Sequence, residues 1–94
     1  MQFDWDSAKD AENIRARGIA FQEAAGVFTD PQRLDWTDTR RDYGEERRKT
    51  IGQVGRLCLT VVYTMRGEVC RIITAWPSSR RERSRYGQIH PRHV

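Results

Sequence analysis

The sequence lacks the long apolar run that a membrane-spanning helix requires. No apolar stretch among its 94 residues approaches the roughly 18–20 residues of a membrane span. The first residues are acidic and polar, unlike a secretory signal peptide. Both absences predict a cytoplasmic protein with no membrane partner.

Cysteine and histidine are scarce, which narrows the chemistry available to the chain. Cys58 and Cys70 lie inside apolar strand patterns, and His90 and His93 lie near the last residue. Two cysteines cannot complete a zinc site, and no acid or thiol pattern accompanies the histidines. Glycine-rich phosphate loops and the Gly-x-Ser-x-Gly motif are also missing. We therefore expect no metal and no other cofactor, and serine–histidine catalysis is disfavoured.

Lysine is rare, and arginine carries nearly all of the positive charge. The chain has two lysines and fifteen arginines against thirteen acidic residues, for a net charge of +4. The planar arginine fork binds phosphate through two parallel hydrogen bonds and stacks on flat rings, which lysine cannot do. Because the arginines cluster towards the C-terminal part, they indicate nucleic-acid binding, with a solvated basic surface as the open alternative.

The length predicts one domain over residues 1–88, with residues 89–94 as a frayed tail. Helices are predicted at 7–17, ended by Gly18, and at 22–28. Strand patterns and a C-terminal helix follow, at 34–36, 45–53, 57–64, 69–76 and from 79 onward, while 3–5 is an edge strand or an extended lead-in. This order predicts an α+β fold, with two N-terminal helices packed on a four-stranded antiparallel sheet and a short C-terminal helix.

The two clearest strands, 57–64 and 69–76, predict a hairpin that turns at Arg66-Gly67, while Gly52 and Gly55 bracket an earlier turn. Pairing about the hairpin turn sets Tyr63 opposite Cys70, Val61 opposite Ile72, Leu59 opposite Thr74 and Leu57 opposite Trp76. This would be the apolar face that the helices cover. The cysteines would then lie on opposite faces, although a slip of one residue would reverse that arrangement.

Residues 71–86 combine a strand, a break at Pro77 and a very basic helix. Ser79 and Glu82 have the spacing of a capping box. Arg80 and Arg81 follow in the first turn, where each cation opposes the helix dipole by about 0.3–1 kcal/mol. Their position is explained if the arginines and the helix N-terminus face a phosphate. The alternative is a solvated basic face paired with nearby acids.

Chemistry on an RNA phosphodiester fits these residue types, since RNA supplies its own nucleophile, the 2′-hydroxyl. The protein must align that group, stabilise the phosphate oxygens and move protons. Arginines suit the second task, and a carboxylate such as Glu45 or Glu82, or a lysine or tyrosine with a lowered pKa, suits the third. Tyr86 or Trp76 could stack on a base. For Trp76 and Glu82, a core position and a helix cap are the favoured interpretations.

The chain resembles the BrnT-type toxins of bacterial type II toxin–antitoxin systems over about residues 3–86. The matching segments are Phe3-x-Trp5-Asp6-x-x-Lys9-x-x-x-Asn13, Gly18-x-x-Phe21-x-Glu23-Ala24, Val27-Phe28-x-Asp30-Pro31, Gly44-Glu45-Glu46-Arg47 with Gly52, Val61-Val62-Tyr63-Thr64-x-Arg66, Arg71-Ile72-Ile73-x-Ala75 and Arg80-Arg81-Glu82-Arg83-x-x-Tyr86. The segments occur in the family's order and at its separations, which makes the match specific.

The resemblance implies a RelE-like ribonuclease that inhibits translation by cutting RNA without metal. It also implies a BrnA-like ribbon-helix-helix antitoxin, with which the toxin would bind operator DNA and repress its own operon. With the basic strand–break–helix segment, it predicts catalytic residues at Lys9, Glu45, Arg47, Arg71 and Tyr86. The predicted RNA-binding residues are Arg17, Arg80, Arg81 and Arg83.

Two departures from the family pattern leave a second function open. The family usually ends the first helix with Lys-His-Gly, and this chain has Ala16-Arg17-Gly18. Arg17 cannot replace the histidine as a base, because a guanidinium stays protonated in proteins. Trp76 follows Thr74-Ala75 where the family usually has an arginine. The alternative is therefore a weakened or inactive homologue that acts as an antitoxin-binding co-repressor. A generic basic RNA-binding module is the third interpretation.

Overall fold

A five-stranded sheet organises the computed structural model, which describes residues 1–89, and the side chains of residues 1–87. The elements are β1 (Gln2–Trp5), α1 (Ser7–Arg17), α2 (Phe21–Ala24), a 3₁₀ helix (Ala25–Thr29), β2 (Leu34–Thr37), β3 (Arg48–Val54), β4 (Leu57–Arg66), β5 (Val69–Pro77) and α3 (Arg80–Ile89). The strand order is β1-β5-β4-β3-β2, in which β1 runs parallel to β5 and the other neighbours are antiparallel.

The predicted α+β class is confirmed, but the predicted four-stranded antiparallel sheet is wrong in detail. Residues 2–5 form a fifth strand, and its direction makes the sheet mixed. Alternate residues of β1 turn inwards, where Phe3 packs against Phe28 and Trp5 packs edge-on against Phe21. The second N-terminal helix is one α-helical turn continued by a 3₁₀ turn. Ile89, the first residue of the predicted tail, belongs to α3, and 90–94 with both histidines lie outside the described residues.

Helix α1 begins and ends where local sequence signals place it. The Asp6 carboxylate accepts a hydrogen bond from the Lys9 backbone N–H at 3.0 Å, which lowers the pKa of Asp6. Gly18 adopts φ +73° and donates its N–H to the Ile14 carbonyl. The buried Asn13 side chain then donates to the Ile19 carbonyl at 2.8 Å, which fixes the connection to α2.

The main core lies between one face of the sheet and the segment that contains α2 and the 3₁₀ helix. We call this face the core face; its buried members include Leu59, Val61, Ile72 and Ala75. Gly52 lies within β3, so the prediction that it brackets a turn is wrong. A Cβ atom at Gly52 would lie 2.7 Å from Val27 Cγ1. Glycine therefore permits the close approach of the 3₁₀ helix to β3.

The β4–β5 hairpin corrects the predicted register. Its loop is Gly67-Glu68, one residue later than predicted, and Gly67 adopts φ +61°. Tyr63 consequently pairs with Ile72 rather than Cys70. A β-bulge follows, because Val62 pairs with Thr74 and leaves Ile73 as an extra residue.

After the bulge, the residues of β5 that face the core are the alternate ones to those predicted. Ala75 becomes a core residue, while Trp76 pairs with Thr60, so the predicted placement of Trp76 opposite Leu57 on the helix-covered face is wrong. We call the side of the sheet that carries Lys49, Thr60, Val62 and Trp76 the outer face. The cysteines lie on opposite faces as predicted, and both are free thiols. Burial raises the pKa of the Cys70 thiol to about 12.

Helix α3 packs on the outer face and against β3. The Tyr86 hydroxyl donates to Asp30 Oδ2 at 2.6 Å, and the hydroxyls of Ser78 and Thr60 are 2.8 Å apart. These contacts cover one end of the outer face and leave the other end to polar side chains. Between residues 1 and 89, no helix has the length and apolarity needed to cross a membrane.

Candidate functional site

Lys49 lies at the centre of a polar cluster on the outer face. Cross-strand pairing sets it between Trp36 of β2 and Val62 of β4. Its ammonium lies 3.3 Å from the Glu82 carboxylate, and the two side chains are only 18% and 15% exposed. The ammonium also lies 5.3 Å from the centre of the Trp76 ring and 5.7 Å from that of Trp36. Lys49 is therefore held by one carboxylate and two aromatic rings.

Two arginines extend this cluster into a row. The guanidinium of Arg85 lies 4.3 Å from the Trp36 ring centre, and that of Arg17 lies 5.2 Å from the Trp76 ring centre. Both arginines are exposed, and both indoles are partly exposed. The order along the surface is Arg85, Trp36, Lys49, Trp76 and Arg17, which we call the cation–indole row. The row joins the C-terminal end of α1 to α3 across the sheet.

Glu82 anchors α3 to the row. Its Oε1 atom accepts from the Ser79 N–H at 2.8 Å and from the Trp76 indole N–H at 3.0 Å, and Ser79 Oγ accepts from the Glu82 N–H. The predicted capping box is thus confirmed. Burial acts to raise the pKa of Glu82, but the hydrogen bonds from Ser79, Trp76 and Lys49 outweigh it and lower that pKa. Glu82 is therefore ionised at neutral pH and engaged as a cap and anchor.

Arg71 lies further along the same outer face. It pairs in register with Thr64 of β4 and donates to Asp4 Oδ2 of β1 at 2.7 Å. Arg47 precedes β3 and lies beside the same part of β4, because Thr64 Oγ1 donates to the Glu46 carbonyl at 2.7 Å. Arg47, which precedes β3, and Arg71 of β5 therefore lie on either side of β4, near Thr64.

Arg47 belongs to a small group built by the loop between β2 and β3. Its guanidinium lies 3.9 Å from the Tyr43 ring centre, and its Nε lies 3.6 Å from Glu45 Oε2. That Nε is buried and makes no hydrogen bond within the described part of the chain. Glu45 Oε1 also lies 3.7 Å from Arg66. Glu45 therefore lies between two arginines, Arg47 and Arg66.

Asp38 holds this loop in place. Its N–H donates to the Arg47 carbonyl at 2.7 Å, and its buried carboxylate accepts two hydrogen bonds from the Arg40 guanidinium at 2.8 Å. The Arg40 hydrogen bonds lower the pKa of Asp38. The loop between β2 and β3 is therefore tied to the sheet at one buried residue.

A cleft of about 360 Å³ continues the site towards α1. Lys9 and Arg17 line it from the helix, and Ile73 and Thr74 line it at the β5 bulge. Thr74 Oγ1 lies 3.4 Å from Asn13 Oδ1. Because Arg17 lines the cleft and also contacts Trp76, the cleft and the cation–indole row meet at this residue.

The sequence matches the family described as "Ribonuclease toxin, BrnT, of type II toxin-antitoxin system" over residues 5–82. The chain belongs to this family. BrnT membership makes it a toxin-type protein of a toxin–antitoxin system, of a family described as ribonucleases, and implies an antitoxin partner. No curated protein showed significant similarity to the chain.

Two other predicted site residues, Tyr86 and Arg83, do not lie on the surface that carries Arg71 and Lys49. Tyr86 is 8% exposed, and its hydroxyl is bonded to Asp30. Arg83 donates to the Ser78 carbonyl at 2.6 Å and lines a different cavity of about 390 Å³ with Arg56 and Cys58. Their predicted roles remain predictions, but the structure does not group them with Arg47 and Arg71.

Arg80 and Arg81 lie on the exposed side of α3. They line a shallow surface groove with Ser84 and Arg85. Since Arg85 also covers Trp36, this groove borders the cation–indole row. Arg80 and Arg81 thus lie at the edge of the candidate site, and their RNA contacts stay predictions.

The sequence analysis missed Lys49 and Trp36. Lys49 is one of only two lysines in the chain, but its segment has few apolar residues and gives a weak strand signal. Its position opposite Trp36 follows from the β2–β3 register, which is a tertiary property. Within residues 1–89, no group of three or more His, Cys, Asp or Glu side chains is placed to hold a metal ion.

Proposed function

We propose that this chain is the toxin of a type II toxin–antitoxin pair and a metal-independent endoribonuclease. It would act in the cytoplasm and inhibit translation by cutting RNA, with the 2′-hydroxyl as nucleophile. The observation that carries the proposal is the placement of Lys49 and Arg71 on the outer face, next to partly exposed indoles, with Arg47 just before β3 beside Thr64. The family's description as a ribonuclease toxin supports the same class of reaction.

The proposed reaction forms a bond between the 2′-oxygen and phosphorus and breaks the bond between phosphorus and the 5′-oxygen. Arg47 and Arg71 would bind the non-bridging oxygens, where charge develops in the transition state. Glu45 would accept the 2′-hydroxyl proton, and Lys9 would orient the leaving group or protonate it. The products are a 2′,3′-cyclic phosphate and a 5′-hydroxyl. Tyr86 could supply a proton only after its hydrogen bond to Asp30 opens.

Before RNA binds, carboxylates lie against three of these cations, and Glu45 is the partner of Arg47. Asp4 holds Arg71, and Glu82 holds Lys49. Asp4 is half exposed and Glu82 is mostly buried, so Arg71 exchanges its partner more easily than Lys49 does. We propose that a phosphate displaces Asp4 from Arg71, while Lys49 keeps Glu82 and meets the RNA backbone with its remaining N–H groups.

The test is cleavage of RNA in EDTA by purified wild-type protein and by Arg47→Ala and Arg71→Ala variants. Each substitution should lower the cleavage rate by roughly 100-fold or more, because one group that stabilises the transition-state charge is lost. Arg15→Ala is the matched control, since Arg15 is exposed on α1 and pairs with Glu12. Absence of RNA cleavage together with absence of growth arrest, when the chain is expressed without an antitoxin, would refute the enzymatic function.

The second candidate function is antitoxin-dependent repression without RNA cleavage. Trp76 favours it, because its indole is bonded to Glu82 at the position where the family usually has an arginine. In this case the chain would hold a BrnA-like ribbon-helix-helix antitoxin in a geometry that binds operator DNA. Tighter operator binding in the presence of the chain, with no ribonuclease activity, would support it. The pair Arg17→His and Trp76→Arg separates the two functions, since a large gain in toxicity would show that these positions had weakened catalysis.

A further inference from the structure

Trp36 and Trp76 are not used by the proposed cleavage step, yet both face the candidate site. They lie on the outer face of the sheet, away from the core that Leu59, Val61 and Ile72 form on the other side. Both rings are only partly buried. Two partly exposed indoles on one basic surface are an arrangement that suits flat ligands.

The rings are close enough to serve one ligand. The Lys49 ammonium lies between them, 5.3 Å from one ring centre and 5.7 Å from the other, so the two centres are at most 11.0 Å apart. Neighbouring nucleotides with splayed bases can cover that span. The central ammonium then meets the phosphate that joins the two nucleotides.

The outer partners of both rings are easily exchanged. Arg17 and Arg85 are exposed, and a cation held on a ring at an exposed site is bound only weakly. A nucleobase can slide between the ring and the guanidinium, where it stacks on both planes. The arginine therefore keeps a flat partner after the base has bound.

We propose that Trp36 and Trp76 form a stacking site for two unpaired nucleobases of single-stranded RNA, one base on each side of Lys49. The site takes single strands because a duplex hides the faces of its bases. It deepens the proposed ribonuclease function by naming the part of the substrate that this surface recognises. Arg80 and Arg81 border the row from α3 and extend the basic path for the RNA backbone.

The experiment measures binding without cleavage. Single-stranded 2′-O-methyl oligonucleotides have no free 2′-hydroxyl, so the full chain can bind but not cut them. Affinity and tryptophan fluorescence are measured for a base-bearing strand, for an abasic strand with the same number of phosphates, and for the base-bearing strand annealed to its complement. We expect the base-bearing single strand to quench fluorescence and to bind roughly ten- to a hundred-fold tighter than the abasic strand and the duplex.

Three tryptophan variants complete the design. Trp36→Leu and Trp76→Leu keep an apolar side chain and remove the ring, and each should weaken binding of the base-bearing strand by about ten-fold or more. Trp5→Phe is the control, since Trp5 packs against Phe21 on the core side, and it should leave affinity unchanged. Thermal unfolding checks that each variant is folded. If a leucine variant unfolds, the corresponding Trp→Phe variant is used and should bind measurably more weakly than the wild type.

Equal affinity for base-bearing and abasic strands would overturn the proposal, as would unchanged affinity in both tryptophan variants. Variants that lose antitoxin binding but keep oligonucleotide binding would assign the surface to the antitoxin and would also overturn it. Cleavage is assayed separately on RNA with free 2′-hydroxyls. Stacking without cleavage would refute the proposed ribonuclease function alone, and cleavage without any effect of the tryptophan variants would refute the stacking site alone.

Discussion

At the scale of single residues, Glu82 has more partners than a capping residue requires. Its carboxylate accepts from Ser79 at the start of α3, accepts from the Trp76 indole and pairs with Lys49. The cap could be predicted from sequence, because both of its partners lie within one helical turn. The contacts with Trp76 and Lys49 could not, since they depend on how three strands and a helix meet.

Replacing Glu82 with Gln should make stability less dependent on pH. The pKa of Glu82 is lowered in the folded protein from its ordinary value of 4.5, so the ionised form stabilises the fold above about pH 4.5. That contribution is lost as the pH falls through the folded-state pKa. Urea unfolding at pH 7 should show Glu82→Gln about 1–2 kcal/mol less stable than wild type, and the difference should shrink by pH 3.

Glu12→Gln is the control for this pH series. Glu12 pairs with Arg15 on the exposed side of α1, where an ion pair contributes little. Its unfolding free energy should follow that of the wild type at each pH. A Glu82→Gln curve parallel to the wild type down to pH 3 would contradict the electrostatic role of Glu82.

Lys49→Met should lower stability, because it leaves the mostly buried Glu82 carboxylate without its cation. It should also slow RNA cleavage, because the outer face loses a positive charge beside the RNA. The double variant Lys49→Met with Glu82→Gln should recover most of the lost stability but not the cleavage rate, which we expect to stay roughly 100-fold below that of wild type. The measurements are urea unfolding and cleavage of a labelled RNA. Recovery of cleavage in the double variant would show that Lys49 acts only on stability.

At the scale of elements, local sequence signals predicted the ends of helix α1 correctly, whereas the strand register could not be predicted. Helix α1 begins after Asp6 and ends before Gly18, as these capping residues indicate. The β5 bulge left no such signal, because Ile72 and Ile73 are identical and only the pairing shows which is extra. Because Ile73 is an extra residue, Trp76 lies on the outer face at the candidate site and not in the core, where it was predicted. Strand β1 could not be told from an extended lead-in, since the three alternating residues at 3–5 fit both equally well.

Replacing glycine with alanine should have opposite effects at Gly52, where the 3₁₀ helix packs closely on β3, and at Gly87 in α3. Gly52→Ala should destabilise the protein by about 1–3 kcal/mol, because its Cβ would lie 2.7 Å from Val27 Cγ1. Gly87→Ala should stabilise it by up to about 1 kcal/mol, since Gly87 lies in α3 and its Cβ would meet nothing within 4 Å. Thermal or urea unfolding measures both. A neutral Gly52→Ala variant would contradict the close packing of the 3₁₀ helix on β3.

At the scale of the whole molecule, the two faces of the sheet divide stability from the proposed function. Apolar side chains fill the core face, and cations with aromatic rings gather on the outer face beside α3. The sequence indicated a nucleic-acid-binding surface from its arginine content. It could not show that Arg47 and Arg71 lie on either side of Thr64 while Arg83 and Tyr86 lie elsewhere, because those positions depend on the register of β3, β4 and β5.

RNA binding by this surface should weaken steeply with salt. If Arg17, Arg47, Lys49 and Arg71 each meet a phosphate, the logarithm of the binding constant should fall with a slope of about −3 against the logarithm of salt concentration. Affinity for a single-stranded 2′-O-methyl oligonucleotide should then drop roughly 50-fold between about 50 and 200 mM salt. An Arg71→Ala variant should show a slope closer to −2, and an unchanged slope would remove Arg71 from the RNA contacts.

The most direct test of the proposed ribonuclease is the chemistry of the RNA ends that purified protein produces in EDTA. Attack by the 2′-hydroxyl predicts fragments with 2′,3′-cyclic phosphate and 5′-hydroxyl ends, and no cut where a single 2′-O-methyl group replaces the reacting 2′-hydroxyl. Arg47→Ala and Arg71→Ala should form these ends at least about 100-fold more slowly than wild type. Fragments with 5′-phosphate ends, cutting at the methylated nucleotide, or no cutting at all would contradict the proposed mechanism.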